Sequence, residues 1–306
     1  MGGAIEISAA TRRFGATVAV DRLSLQVEPG EIFVLVGPDG AGKTTLIRLI
    51  CGALALDAGE LRVDGVDVVR ETARVQTAIG YMPQRFSLYP DLSLLENLHF
   101  YGEIFGVPRA AFAERAFRLL EDFDLTPFGR RPARELSGGM KQKLALACTL
   151  IHRPATILLD EPTAGVDPVS RREFWRLLYG INRSGTTIFV STPYMDEAER
   201  AHRVAFIDRG AILICGTPAE LKADVPGDVV EIACAQRGAA RRLLRDDPLV
   251  RSVEIFGGTL HALVAAAGPA LAELRSRLDA GGIADARLRR IPASLEDAFV
   301  ARLAAP

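Results

Sequence analysis

The spacing of hydrophobic positions changes several times along the chain, and each change marks a boundary. From residue 5 to 36 the apolar positions fall in short alternating runs, such as Val18-Ala19-Val20 and Leu23-Ser24-Leu25-Gln26-Val27, which predict strands. Pro29-Gly30-Glu31 is a turn into a wholly apolar run, Ile32-Phe33-Val34-Leu35-Val36, and Thr45-Leu46-Ile47-Arg48-Leu49-Ile50 then has helical spacing. Residues 61–68 predict a hairpin on Asp64-Gly65, and 78–82 a short strand that stops at Pro83-Gln84. From about Ser93 to Ile151 the period is helical, as in Ala113, Phe117, Leu120 and Phe123, with Gly106-Val107-Pro108 and Thr126-Pro127 as punctuation. Strand runs return at 156–160 and 186–191, apolar enough for parallel strands covered on both faces. The pattern predicts an α/β sheet domain with N-terminal antiparallel strands and an inserted helical subdomain at about 86–152.

Residues 204–208 and 211–214 flank an Arg209-Gly210 turn. Thr217-Pro218-Ala219-Glu220 is a capping box with proline at the first helical position, so a helix starts there. After Pro226-Gly227 a smaller unit begins: strand 229–234, helix 239–245, strands 250–256 and 259–265 joined across Gly257-Gly258, helix 269–278, and strand 286–291. That order, βαββαβ, is the ferredoxin-like pattern. The expected division is therefore 1–225 and 226–306. The second part holds no phosphate loop, metal spacing or nucleophile, which suits a regulatory or docking module.

Composition narrows the classes. The 306 residues suffice for about two domains with a real core, and 49% hydrophobic with 25% charged content is that of a globular protein. A net charge of −1 gives no footprint for nucleic acid, so neither RNA nor DNA is expected as the main partner. Cys51, Cys148, Cys215 and Cys234 lack metal spacing and read as packed thiols in a reducing cytosol. No apolar stretch approaches the length of a membrane span, no signal peptide is evident, and Met1-Gly2 is not followed by Ser or Thr at position six. Any link to a membrane is expected to run through a partner.

The chemistry concentrates at Gly37-Pro38-Asp39-Gly40-Ala41-Gly42-Lys43-Thr44, with Thr45 following, between the apolar strand and the helix. Glycines let the backbone curl so that N–H groups converge, and the helix end adds roughly half a positive charge. Lys43 is placed to reach β- and γ-phosphates and the Thr44 hydroxyl to ligate Mg²⁺, so the run is a P-loop for a nucleoside triphosphate. Asp39 suits a phosphate loop only if its carboxylate faces outward.

Further motifs lie downstream: Leu136-Ser137-Gly138-Gly139-Met140-Lys141-Gln142 opening a helix, Ile157-Leu158-Leu159-Asp160-Glu161-Pro162-Thr163 about twenty residues later, and Gln84 between sheet and helical insertion. This set resembles the ATP-binding subunits of ABC transporters, from about residue 5 to 221. Asp160 ends a buried strand, where a carboxylate holds Mg²⁺ directly or through water. Glu161 is placed to polarise the attacking water, its alternative being a salt-bridge partner. The resemblance implies that Gln84 senses Mg²⁺, although a surface glutamine is the plain alternative. It implies that Ser137 caps the signature helix and, with Gly138 and Gly139, meets the γ-phosphate held by the opposite subunit. ATP would thus join a head-to-tail dimer. Asp167 falls in the D-loop, which crosses that interface, or simply caps the helix after Pro168. Phe14 occupies the place of the aromatic that stacks on adenine, with a core aromatic as the alternative.

One departure stands out. Where the family places a histidine that contacts the γ-phosphate, the chain reads Ser191-Thr192-Pro193-Tyr194. Proline offers neither side-chain donor nor backbone N–H, and losing one donor typically costs ~10²–10³-fold in rate. The expectation is a site that binds ATP well and hydrolyses it slowly, with an intact signature able to serve another ATPase domain, homodimeric or heterodimeric. The tail Pro292-Ala293-Ser294-Leu295-Glu296-Asp297-Ala298-Phe299 resembles that of ATPases serving ABC-2-type and multidrug exporters. The reading is thus an ATPase subunit with ATP and Mg²⁺, cytoplasmic and held at the membrane's inner face by a separate permease. The alternative is a non-transport ABC ATPase on ribosome or DNA. A small-molecule P-loop kinase has no role for the signature helix.

Overall fold

The computed structural model describes residues 5–85 and 88–303. Met1-Gly2 and the expected start of the helical insertion at Phe86 lie outside them. The chain divides into two compact units, Met1–Ile212 and Leu213–Pro306.

The first unit opens with β1 (Ile5–Phe14) and β2 (Thr17–Val27), an antiparallel pair in which the two expected runs of β2 form one strand. β3 (Ile32–Val36) leads through the glycine loop into α1 (Lys43–Ile50). β4 (Ala58–Val63) and β5 (Val66–Asp67) form the expected hairpin, with Asp64 at φ 52° and Gly65 at φ 76°, the twist that a two-residue turn needs. α2 (Thr72–Ala78) and β6 (Gly80–Met82) follow, so Ala78 ends a helix rather than starting a strand. The helical insertion comprises α3 (Leu94–Ile104), α4 (Arg109–Asp122) and α5 (Gly138–Leu150). Then come β7 (Thr156–Asp160), α6 (Pro168–Arg183), β8 (Thr187–Thr192), α7 (Met195–Ala198), β9 (Arg203–Asp208) and β10 (Ala211–Gly216).

β2-β1-β4-β5 make one sheet and β10-β9-β3-β8-β7-β6 a second, whose β6, β7, β8, β3 and β9 pair in parallel. Every residue of β3, β7 and β8 is buried, which is why those strands read as unbroken apolar runs. Their carboxyl ends therefore gather the glycine loop, Asp160 and Thr192 at one edge, where open α/β sheets bind ligands.

The second unit contains α8 (Pro218–Ala223), β11 (Asp228–Ala233), α9 (Arg237–Arg245), β12 (Val250–Phe256), β13 (Thr259–Val264), α10 (Ala267–Ala280), β14 (Arg287–Ile291) and α11 (Leu295–Leu303). Thr217 and Glu220 form the expected capping box, with reciprocal bonds of 3.2 and 2.8 Å. The contact boundary at residues 212–213 falls inside β10, and within the second unit α8 packs on α11 and Asp224 pairs with Arg302. The antiparallel sheet runs β12-β13-β11-β14. Val230, Ile232, Leu260, Ala262, Leu274 and Leu278 build its core with α9 and α10.

α11 contacts β13 through a polar clamp. His261 Nδ1 lies 3.0 Å from Asp297, which also accepts the Ser294 N–H at 2.8 Å. The hydrogen bond to Asp297 raises the His261 pKa, helped by Glu231, its cross-strand neighbour. Glu254 on β12 also stands opposite His261, and Arg289 pairs with Glu231. Burial pushes the Asp297 carboxyl up, but hydrogen bonds from His261 and Ser294 outweigh it and leave it lowered. A raised histidine stabilises fully below its unfolded pKa near ~6.5, and a lowered aspartate above ~3.9. The clamp thus contributes most between those values and fades as pH rises through the raised His261 pKa. His261→Gln is expected to lower the melting temperature by about 4 °C at pH 5.5, the effect of ~1 kcal/mol in a domain of this size. The difference should shrink to about half or less by pH 8.5; a pH-independent difference would show that the pair carries no charge linkage.

Candidate active site

The glycine loop is held between two walls. A Cβ on Gly37 would sit 2.2 Å from the Ile207 carbonyl oxygen, and one on Gly42, at φ 107°, would sit 2.4 Å from that of Ala19. Both positions therefore exclude any side chain, the first by contact alone and the second also by backbone conformation. Gly42 is the N-cap of α1, so the helix's free N–H groups face the loop's concave side. Pro38 and Ala41 close the loop through a 3.2 Å backbone bond, while the Asp39 side chain is 96% exposed with Oδ1 4.0 Å from Lys43 Nζ.

Lys43 is buried. Its Nζ donates to the carbonyls of Gly37 (2.8 Å) and Pro38 (3.0 Å) and lies 3.4 Å from Glu161 Oε1. Glu161 Oε2 accepts from Gln84 Nε2 at 2.8 Å. Three residues far apart in sequence thus form one polar cluster. Glu161 has φ 48°, a left-handed conformation for a residue with a side chain, and its N–H is held by the Ser191 carbonyl (3.0 Å) and hydroxyl (3.2 Å). Such strain persists only where surrounding bonds enforce it.

Asp160 is 1% exposed. Its Oδ1 accepts from Thr44 Oγ1 (3.1 Å) and Ser191 Oγ (2.6 Å), while its buried Oδ2 has no hydrogen-bond partner among the described residues. A buried carboxylate oxygen without a partner is costly, and beside a hydroxyl it is the donor set that a hard divalent cation takes.

The remaining expected residues lie outside this cluster. Ser137 is the N-cap of α5 and accepts from Met140 N–H at 3.3 Å; Gly138 has open space where a Cβ would project. A Cβ on Gly139 would meet Ser170 Oγ at 2.7 Å, so α5 and α6 start side by side. Asp167 caps α6, accepting from Val169 and Ser170 N–H at 3.0 Å each, and the Ser170 side chain first, together with those N–H bonds, holds its carboxyl below the usual range. Phe14 is 47% exposed with the Arg12 guanidinium 5.0 Å from its ring centre, so it is not a core aromatic. No hydrogen bond or ion pair among the described residues ties Phe14, Ser137, Gly138, Gly139 or Asp167 to Lys43 and Glu161. Pro193 follows Thr192, whose carbonyl accepts Gly37 N–H at 3.4 Å.

Pattern reading missed Ser191, which serves both Asp160 and Glu161. Its signal was a hydroxyl at the carboxyl end of a buried apolar strand. A cleft of about 820 Å³ lined by Arg115, Phe123, Arg153, Arg176 and Thr186 contains none of these residues, so chemistry rather than cavity size picks the site.

Residues 20–164 match the ABC transporter family. The Nod factor export ATP-binding protein I of Paraburkholderia xenovorans (strain LB400) is 40% identical over 301 residues, covering 97% of this chain and 96% of that protein. The chain belongs to the ATP-binding proteins of ABC transporters. It is also 41% identical over 224 residues to the probable multidrug ABC transporter ATP-binding protein YbhF of Escherichia coli (strain K12), and this match spans 73% of the chain but only 39% of YbhF. The first unit has the α/β fold of ABC cassettes. MJ0796, a cassette solved as a dimer in a post-hydrolysis state bound to ADP and Pi, aligns with TM-score 0.63 at 26% identity, over 70% of this chain and 98% of that one. ABC cassettes are ATPases that bind ATP and couple its hydrolysis to transport. Among the described residues no helix is long and apolar enough to cross a membrane.

Proposed function

We propose that this chain is the ATP-hydrolysing subunit of an export-type ABC transporter, acting on a separate membrane permease. The observation that carries the reading is the Lys43–Glu161–Gln84 cluster beside the unpartnered Asp160 oxygen. Lys43 and the loop amides of residues 37–45 hold the phosphates, and Phe14 stacks on the adenine. Thr44, Asp160 and Gln84 would hold Mg²⁺, which would supply positive charge against the phosphates. Glu161 accepts the proton of the attacking water, and Lys43 offsets the charge that develops on the γ-phosphate.

Ser137, Gly138, Gly139 and Asp167 lie apart from that cluster. This suits residues that complete the site of a second ATPase domain in a head-to-tail dimer. Pro193 leaves the chain's own site short of one donor and slow. The second unit, ferredoxin-like in its element order, is a docking or regulatory module, and the permease holds the complex at the inner face of the membrane. Export is supported by near full-length similarity to a Nod factor export protein.

Isolation from detergent-solubilised membranes, followed by identification of what accompanies the chain, tests the reading. A polytopic permease with a second ATP-binding domain is the expected result. Recovery with ribosomes or DNA and no membrane protein would overturn the transport role.

A further inference from the structure

Glu197 lies outside the P-loop, signature and Asp160-Glu161 motifs, on the short helix α7, and is wholly buried at 0% exposure. A carboxylate so placed is costly unless it is bonded, and both its oxygens are engaged. Oε1 accepts from the Thr163 hydroxyl and lies 3.5 Å from Arg171 Nε, close but without hydrogen-bond geometry. Oε2 accepts from the Thr192 hydroxyl at 2.7 Å.

Each of these partners belongs to a different part of the site. Thr163 is two residues beyond Glu161 and is 1% exposed. Thr192 ends β8, bonds Gly37 N–H through its carbonyl, and precedes Pro193; its hydroxyl also accepts Tyr194 N–H at 3.1 Å. Arg171 lies one turn into α6, where its N–H bonds the carbonyl of Asp167, and its guanidinium sits 4.2 Å from the Tyr194 ring centre and 3.6 Å from Asp196.

We infer that Glu197 is a positioning residue of the ATPase site. It braces the segment after Glu161, the segment carrying Pro193 and the helix capped by Asp167 to one another. The direction of the Glu161 carboxylate and the place of Asp167 are thereby set together. An apolar side chain could fill the same volume but could neither fix the directions of the two hydroxyls nor attract the nearby Arg171 guanidinium. The inference rests on the ATPase reading above.

The test uses the full chain with Glu197→Leu and Glu197→Gln, reading ATP turnover, KM and native-state hydrogen exchange. In Glu197→Leu, kcat is expected to fall roughly tenfold, a part of the ~10²-fold that a 1 Å misplacement costs, with KM within about twofold. Glu197→Gln, which keeps one acceptor, should recover part of the loss. Exchange should quicken in both segments 161–167 and 191–197, while β3 and α1 stay protected. Unaltered exchange in both segments with unaltered kcat would overturn the brace, as would a loss explained wholly by the unfolded fraction. Failure of the ATPase reading is separate: the parent chain would show no turnover with any partner, while the exchange measurement would still report the brace.

Discussion

Glu161→Gln is expected to lower ATP turnover by about 10²–10⁴-fold, the usual worth of a positioned general base, while changing ATP affinity by no more than about threefold. The amide has the volume of the carboxylate and can still bond Gln84, now at 2.8 Å from Oε2. The backbone at φ 48° stays pinned by Ser191, so the side chain points the same way. Lys43 loses a 3.4 Å ion pair but keeps both loop carbonyls, so the phosphate cradle stands. What disappears is the ability to take a proton from water. Equilibrium nucleotide binding and single-turnover hydrolysis, measured side by side, separate the two effects. Turnover within about threefold of the parent would place the base elsewhere.

The P-loop, the Asp160-Glu161 pair and the capped signature helix were legible because their spacing is set by local backbone geometry. A buried strand, a loop too crowded for side chains at Gly37 and Gly42, and a helix start leave a fixed order of residue types. What escaped was set by tertiary packing. α2 buries only Val75, so it has no apolar stripe to give it away, and its last residue read as strand. α11 did carry a signal, Ser294-Leu295-Glu296-Asp297. Ser294 Oγ accepts from Asp297 N–H at 3.2 Å and Asp297 returns the bond, a capping box with aspartate in place of glutamate.

Asp196 and Glu197 are the sharper case. They are adjacent acids, yet one is exposed and the other has no exposed surface. Only the convergence on Glu197 of Thr163 and Arg171 from earlier parts of the chain, with nearby Thr192, tells them apart. Asp167 was left between a helix cap and an interface residue. Its Oδ1 accepts from both Val169 and Ser170 N–H, which is the cap.

Pro193→His should raise turnover by about 10²-fold with KM little changed, since it restores one preorganised donor to the γ-phosphate. The position is well placed to receive it. Thr192 is anchored to Gly37 through its carbonyl and to Glu197 through its hydroxyl, so the strand end next to residue 193 is fixed against the P-loop. Tyr194 N–H is held by the same hydroxyl on the far side. The segment is thus bonded on either side of residue 193, and histidine needs no backbone N–H partner lost to proline. A histidine that acts chemically brings its own titration, so turnover of the variant should acquire a new pH dependence near ~6.5 that the parent lacks. Pro193→Ala supplies the control: it frees the backbone but adds no donor. If alanine accelerates hydrolysis as much as histidine, the proline acts through loop stiffness. If neither does, Glu161 and Lys43 suffice, and the slow-site reading falls. A gain confined to histidine, with its pH signature, would mean that Pro193 limits hydrolysis in this chain while the machinery for binding is kept. Its signature helix would then serve a faster partner domain better than it serves a copy of itself.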